Sequence, residues 1–192
     1  MKKLIVTAIL GLAVVSTWAQ GTVDFRNGGI TFRTVADRNV YDADGTTLLK
    51  GNNWVAQLYY LSGPDRGPDI ATALVVTNLA VPFRSTTSTG VGGVWVTLTP
   101  IRILDNVAIG ATATLQVRVW DVTKFSTFAA AIAGGGLYGQ SAPFNYTVPA
   151  PGSPPDAYYM DALRSFHLVP EPSAIALGVL AVGSLLLFRR RK

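Results

Sequence analysis

Hydrophobic and polar positions alternate over long stretches in the middle of this 192-residue chain. Between residues 111 and 121, alanine, leucine and valine occupy every second position, and mostly polar side chains stand between them. This period of two is typical of a β-strand that buries one face. Residues 94–99 repeat the pattern, with Val94, Val96 and Leu98 on the apolar side and Trp95 among the polar positions. Both segments are predicted to be antiparallel strands against a core.

Further strands are predicted where apolar clusters are separated by glycine, proline, asparagine and aspartate. Residues 54–61 are apolar on both faces, which favours a central strand. Residues 23–32 suggest an opening hairpin around Asn27-Gly28-Gly29, and residues 74–83 and 144–148 add two more strands. Seven or eight short strands predict an all-β fold, a single antiparallel β-sandwich, with the jelly roll as one form that it can take.

One short helix is predicted among the strands, at residues 127–133. Ser126 is the predicted N-cap, and the three glycines at residues 134–136 would end the helix. Residues 149–156 are rich in proline and are predicted to form an extended linker, whereas residues 158–166 are apolar enough to pack back. The predicted organisation is a β-sandwich domain at residues 20–148, followed at 149–168 by the linker and a last short element.

The first 19 residues have the layout of a secretory signal peptide. Lys2 and Lys3 supply a positive start, residues 4–15 form an apolar core, and small residues precede a cleavage position after Ala19. An uncleaved anchor is the alternative, but the apolar run is short for a helix that spans a bilayer. The sequence therefore favours export and cleavage by signal peptidase.

Residues 169–192 combine a proline-bounded segment, an apolar run and a basic end. Val169-Pro170-Glu171-Pro172 precedes residues 174–188, which are predicted to form a transmembrane helix. At 1.5 Å per residue this helix is about 22 Å long, against a hydrocarbon core of about 30 Å. Arg189, Arg190, Arg191 and Lys192 follow and favour a cytoplasmic C-terminus. The segment is thus a marginal membrane anchor, and the chain between the two ends is predicted to be exported.

The same segment resembles the PEP-CTERM protein-sorting signal of Gram-negative bacteria. The resemblance rests on Val169, Pro170, Glu171, Pro172, the short apolar helix and the final Arg189-Arg190-Arg191-Lys192, and it covers residues 168–192. It implies that an exosortase, a membrane cysteine protease, removes the helix. It also implies a transient stay in the inner membrane, followed by delivery to the cell surface or extracellular matrix. An ordinary single-pass tail anchor is the alternative.

Charge and composition exclude several classes of function. The net charge of +5 is concentrated at the ends, because six of the 16 basic residues but only Glu171 of the 11 acidic residues lie there. The exported part carries ten of each, so the sequence predicts no nucleic-acid partner. Without cysteine there is no thiol nucleophile and no thiolate metal site. A single histidine, His167, gives little basis for a catalytic triad.

Asp42 and Asp44 are the candidate metal ligands in this chain. Asp42-Ala43-Asp44-Gly45 has the alternating carboxylates of the first half of a calcium loop. Residues 47–54 offer no carboxylate to complete such a loop, so a polar turn with Gly45 at positive φ is the favoured interpretation. No cofactor is predicted.

Two further residue sets have a chemical and a structural interpretation. Asp65 and Asp69 lie among glycines and prolines, which favours a surface loop over a glycosidase pair that needs a rigid, partly dry site. Trp95 and Trp120 fall on the polar sides of their strands, where exposed rings stack on sugars. Packing under a covering element is the favoured alternative for both rings.

These observations favour an exported cell-surface or extracellular-matrix protein with a non-enzymatic role. Its expected partners are signal peptidase, an exosortase-type membrane protease and, before processing, the membrane. Extracellular polysaccharide is a further candidate partner. A carbohydrate-binding or adhesive module that uses surface aromatics is the alternative function.

Overall fold

The computed structural model of the protein describes residues 20–76, 79–85 and 92–169. Within them lie one α-helix, α1 (Phe128–Ala133), two 3-10 helices (Gly67–Thr72 and Pro155–Tyr158) and ten strands. The strands are β1 (Gln20–Asp24), β2 (Val40–Tyr41), β3 (Trp54–Ser62), β4 (Leu74–Val75), β5 (Val81–Pro82), β6 (Ile101–Ala108), β7 (Thr112–Asp121), β8 (Tyr138–Gln140), β9 (Phe144–Thr147) and β10 (Phe166–Val169). The predicted all-β fold with one short helix is confirmed.

The predicted membrane-related segments lie outside this range. The signal peptide at residues 1–19 and the transmembrane helix at residues 174–188 are not among the described residues. Within the ranges that are described, no helix is long and apolar enough to cross a bilayer.

The two longest strands, β3 and β7, form the centre of the large sheet. They pair antiparallel over their whole length, from Trp54 opposite Asp121 to Ser62 opposite Ala113. β8 and β9 lie end to end along the free side of β7, and β4 and β5 lie in the same way along β3. Residues 54–61 are therefore a central strand, as their apolar character on both faces predicts.

The far side of the large sheet makes it mixed rather than antiparallel. β10 pairs antiparallel with β8, but it pairs parallel with β2, with Phe166 opposite Val40 and His167 opposite Tyr41. The loops that enter these two strands are joined: the Thr34 hydroxyl and the Arg38 guanidinium both donate to the carbonyl of Asp161. β2 and β10 therefore start at the same end, a long-range effect that local periodicity does not reveal.

The predicted hairpin around Asn27-Gly28-Gly29 is wrong. β1 pairs antiparallel with β6, and residues 30–39 contain no strand. The buried side chain of Asn27 explains the difference, because it binds distant backbone rather than a hairpin partner. Its amide donates to the carbonyls of Arg38 and Gly93, and its carbonyl accepts from the N–H of Trp95.

The strand predicted at residues 94–99 is also wrong. Its only described pairing is a single bridge between Trp95 and Phe83. The apolar and polar sides are reversed, since Trp95 is fully buried while Leu98 is fully exposed. The Trp95 ring packs between Phe25 and Phe83, with centroids 5.3 and 5.7 Å away. Burial of this largest side chain outweighs the alternation of smaller residues around it.

Other boundaries differ in smaller ways from the prediction. The single strand predicted at residues 74–83 is two short strands, β4 and β5, which pair with opposite halves of β3. Helix α1 begins after Thr127, whose hydroxyl accepts from the N–H of Ala130, so Thr127 rather than Ser126 is the N-cap. Gly134 is the C-cap of this helix.

Two hydrophobic clusters lie on opposite faces of the central strands. The larger cluster combines Val23 of β1 and Leu104 of β6 with Leu58 of β3 and Leu115 of β7, all buried. The smaller cluster is formed by Val55, Trp120, Phe128 and Ala131, so that helix α1 covers the other face. Both faces of β7 are consequently buried along most of its length.

Candidate functional site

The large sheet extends to the first residue of the predicted sorting segment, Val169. β10 ends at Val169, and Pro170 is the next residue. Phe166 and Leu168 are buried in the larger cluster, and Val169 pairs with Tyr138 of β8. Hydrogen-bonded structure therefore continues up to the residue that precedes the proline.

The other residues of the predicted sorting signal and of the signal-peptide cleavage site lie outside the described residues. They are Pro170, Glu171, Pro172, Arg189, Arg190, Arg191 and the signal-cleavage residue Ala19. Gln20, which follows Ala19 in sequence, is the first residue of β1. Each of the two predicted processing regions thus adjoins a strand of the domain.

Several chain segments lie with Val169 at one end of the large sheet, where the ends of neighbouring strands meet. The register places Tyr138 beside Val169, Trp120 beside Tyr138, and Val55 beside Trp120. Because β2 is parallel to β10, the turn after Tyr41 also lies there. We call this surface the exit edge; it consists of Val169 and residues 42–47, 51–53, 122–127 and 134–137.

Asp121, the last residue of β7, is a buried carboxylate at the exit edge. It accepts from the backbone N–H of Thr123 at 2.9 Å, from the Thr123 hydroxyl at 2.5 Å and from the Asn53 amide at 3.3 Å. Its other neighbour is the Lys124 ammonium, 3.6 Å away. Burial raises the pKa of Asp121, but these donors and Lys124 outweigh burial and lower the pKa overall. The ionised carboxylate therefore fixes the loop that follows β7.

Two partly exposed apolar side chains lie in the exit edge where β7 ends and β8 begins. Val122 and Leu137 are 43% and 37% exposed. Between them in sequence, Phe125 packs against the glycines that follow α1. A Cβ atom on Gly136 would lie only 2.2 Å from Cε2 of Phe125, so glycine is required for this close approach. The loops after β7 and before β8 therefore pack against each other.

The candidate metal ligands Asp42 and Asp44 lie in an exposed turn of the exit edge. The Asp44 carboxylate accepts from the Thr47 hydroxyl at 2.6 Å and from the N–H groups of Thr47 and Thr46 at 2.8 Å each. These bonds lower the pKa of Asp44 to about 2. Gly45 has a φ of 70°, as the predicted turn requires. Among the described residues, no cluster of three or more His, Cys, Asp or Glu side chains is positioned to hold a metal.

Neither tryptophan considered for sugar stacking is exposed. Trp95 lies between two aromatic rings of the core, as described above. Trp120 is 3% exposed, its indole N–H donates to the carbonyl of Phe125 at 3.0 Å, and its ring meets Phe128 edge-on. The packing alternative is confirmed for both residues. A sugar-binding platform made from these two rings is therefore excluded.

A cation–aromatic cluster that was not predicted from the sequence covers the polar side of β7. The Arg118 guanidinium carbon lies 4.1 Å from the ring centroid of Tyr59 and 5.1 Å from that of Phe128. Arg118 also donates to the Gln116 side chain and to the carbonyl of Ile70. Burial lowers the pKa of Arg118, although Tyr59 opposes this shift. The signal in the sequence is weak, because Arg118 lies opposite Gln57 and diagonal to Tyr59, and Phe128 comes from helix α1.

The end of the sheet opposite the exit edge carries a polar pair in an open pocket of about 340 Å³. The N–H of Asp65 donates to Oδ1 of Asn145 at 2.9 Å, and Nδ2 of Asn145 donates to the Asp65 carboxylate at 2.8 Å. Phe144 and Thr114 line the same pocket. Asp69 instead accepts from Arg66 at 2.9 Å. The two aspartates therefore have separate partners, unlike the facing carboxylates of a glycosidase.

Comparisons with protein-family models, with curated proteins and with solved structures found no match.

Proposed function

We propose that the protein is an exported cell-surface or extracellular-matrix protein that is sorted through its C-terminal segment. The observation that carries the proposal is the position of β10: the last strand of the described residues ends at Val169, where the segment that resembles a PEP-CTERM signal begins. Pro170 and Pro172 disfavour helix and keep the following chain extended. Such a segment is accessible to a protease at the membrane face.

The proposed route has three partners. Signal peptidase removes residues 1–19, the apolar run at residues 174–188 holds the exported domain transiently at the inner membrane, and an exosortase-type protease then cuts near Pro170-Glu171-Pro172. Arg189, Arg190 and Arg191 keep the C-terminus in the cytoplasm. The final location is the cell surface or extracellular matrix of a Gram-negative bacterium.

A non-enzymatic role and a β-sandwich architecture complete the proposal. Buried side chains of β1 and β6 share one cluster with β3 and β7, which supports two layers packed face to face. The carboxylates considered for catalysis are engaged in the surface interactions Asp65–Asn145 and Asp69–Arg66. These contacts support a structural role for both aspartates.

The location of variant proteins tests the sorting proposal. One variant lacks residues 170–192, which keeps β10 intact, and a second replaces Pro170, Glu171 and Pro172 by alanine. We expect the deletion to release the domain without membrane attachment and the alanine variant to accumulate in the membrane fraction. An unchanged distribution between membrane, surface and medium for both variants would contradict the proposal.

Polysaccharide binding is a second candidate function, favoured by the pocket around Asp65 and Asn145. A carboxylate, an amide and the Phe144 ring are the groups that proteins use to bind sugar hydroxyls and sugar faces. A pull-down with the cell's own extracellular polysaccharide tests this function. The test variant is Asn145→Ala, and the control is Asn52→Ala, at an exposed position. Equal retention of both variants would argue against the pocket.

A further inference from the structure

The distance between the folded domain and the membrane is short in the anchored form. This step rests on the proposed function, in which residues 174–188 lie in the bilayer. Only Pro170, Glu171, Pro172 and Ser173 separate Val169 from Ala174. Five fully extended residue steps span at most about 18 Å. The headgroup layer alone is about 5–8 Å thick, so the end of β10 lies close above it.

The strand fixes which surface faces the membrane. Leu168 is fully buried, and Val169 is held in register with Tyr138, so the chain cannot lengthen its tether without breaking β10. β7 has ten residues and is about 33 Å long. The opposite end of the sheet is therefore well beyond the reach of the tether, whereas the exit edge surrounds the point of attachment.

We infer that the exit edge lies against the lipid headgroups until the protein is processed. Three side chains suit this position: Val122 and Leu137 present apolar surface, and the Lys124 side chain, which is 69% exposed, offers a cation to lipid phosphate. Asp42 and Asp44 add negative charge to the same edge, so its position follows from the short tether and not from charge attraction. The membrane helix and the short tether bring the exit edge to the lipid, so the edge does not need an affinity of its own for a membrane.

Single cysteines can test this arrangement because the natural chain contains none. Val122→Cys and Leu137→Cys report on the exit edge. Val35→Cys is the matched control: Val35 is a fully exposed valine that lies before the start of β2, whereas the exit edge follows the end of that strand. Each full-length variant is produced in a Gram-negative host without a sorting protease, and spheroplasts are treated with a bulky polyethylene-glycol maleimide before and after detergent is added.

We expect Val122→Cys and Leu137→Cys to react more slowly in intact spheroplasts than in detergent, while Val35→Cys reacts at the same rate in both. Inserting about a dozen glycine and serine residues between Val169 and Pro170 adds a tether of about 20 Å and should remove the protection. Because the host lacks the protease, protection identifies lipid rather than the enzyme as the neighbour.

Two results would overturn the inference, and they are distinguishable. If the chain is in the membrane fraction but the exit-edge and Val35 cysteines react alike, the inference fails while the anchor proposal stands. If the chain is in the soluble fraction, the proposed membrane attachment fails, and the inference fails with it.

Discussion

At the scale of single residues, a few buried polar side chains hold the irregular parts of the chain in place. Asn27 joins the segment after β1 to two others through the backbone of Arg38, Gly93 and Trp95. Asp121 holds the loop after β7, and Arg38 closes the loop before β2 by donating to Thr34 and Asp161. Long loops in this domain are therefore ordered by hydrogen bonds that cross large distances in sequence.

Replacing Asn27 by alanine is expected to lower the free energy of unfolding by about 3 kcal/mol. The change removes three hydrogen bonds to buried backbone groups. The Gly93 carbonyl keeps the N–H of Val40 as a donor, but the Trp95 N–H and the Arg38 carbonyl lose the Asn27 side chain, and each such loss costs about 1–3 kcal/mol. Urea denaturation measures the difference. Asn52→Ala, at an exposed position, should change stability by less than about 0.5 kcal/mol. Similar values for the two variants would contradict the role given to Asn27.

Asp121 makes the stability depend on pH in a defined direction. Its pKa in the folded protein is lower than the ordinary value of 3.8, so its contribution is present above pH 4 and is lost as the pH falls through the lowered pKa. At pH 7, Asp121→Asn should cost about 2 kcal/mol, because a buried charge-assisted network is broken.

The melting temperatures of the natural protein and Asp121→Asn should therefore converge as the pH is lowered from 5 toward 2. Asp69→Asn is the control, since Asp69 forms an exposed ion pair with Arg66 and should change stability little. A difference between the natural protein and Asp121→Asn that stays constant over this pH range would show that ionisation of Asp121 is not its cause.

At the scale of elements, the strands that periodicity predicts best are those with regular partners. The alternation at residues 111–121 corresponds to β7, and the doubly apolar residues 54–61 correspond to β3, because both strands pack on regular neighbours along their whole length. Apolar and polar residues alternate just as regularly at residues 94–99. Trp95 nevertheless enters the core, from a segment whose described strand pairing is a single β-bridge to Phe83. The large indole ring of Trp95 determines which side of this segment faces the core. The alternation of apolar and polar residues takes no account of side-chain volume and therefore predicts the wrong side.

The N-cap of α1 offers a direct comparison of two neighbouring residues. Thr127→Ala should lower stability by about 1 kcal/mol, because the N–H of Ala130 loses its acceptor. Ser126→Ala, the position favoured by sequence, should have little effect. Chemical denaturation of both variants measures this, and a larger loss for Ser126→Ala would reverse the assignment of the cap.

β10 sets the shortest chain that retains a stable domain. A protein that comprises residues 20–169 should unfold cooperatively at close to the temperature of the longer chain. One that ends at Ser165 loses the buried side chains of Phe166 and Leu168, each worth about 2–5 kcal/mol, and should be unfolded or strongly destabilised. Thermal unfolding followed by circular dichroism distinguishes them. Equal stability of the two proteins would show that β10 contributes little to the domain.

At the scale of the whole molecule, long-range topology was the part that the sequence did not reveal. An all-β fold followed from strand-length apolar clusters and turn residues, but the parallel pairing of β2 with β10 joins segments more than a hundred residues apart. The same pairing brings the Asp42–Asp44 turn to the edge where the chain leaves the domain. The exit edge is therefore a product of topology, and no local motif predicts it.

The uneven charge of the chain gives a final prediction about processing. The net charge of +5 comes from the two ends, whereas residues 20–169 carry ten basic and ten acidic side chains. Removal of both ends should shift the isoelectric point from strongly basic to near neutral.

Isoelectric focusing and intact mass are measured on protein from the membrane fraction and from the medium. The form in the medium should focus near neutrality and have a mass that retains Val169, because cleavage before β10 would remove buried residues. A basic form in the medium would mean that the C-terminal arginines are still attached, and it would contradict processing near Pro170.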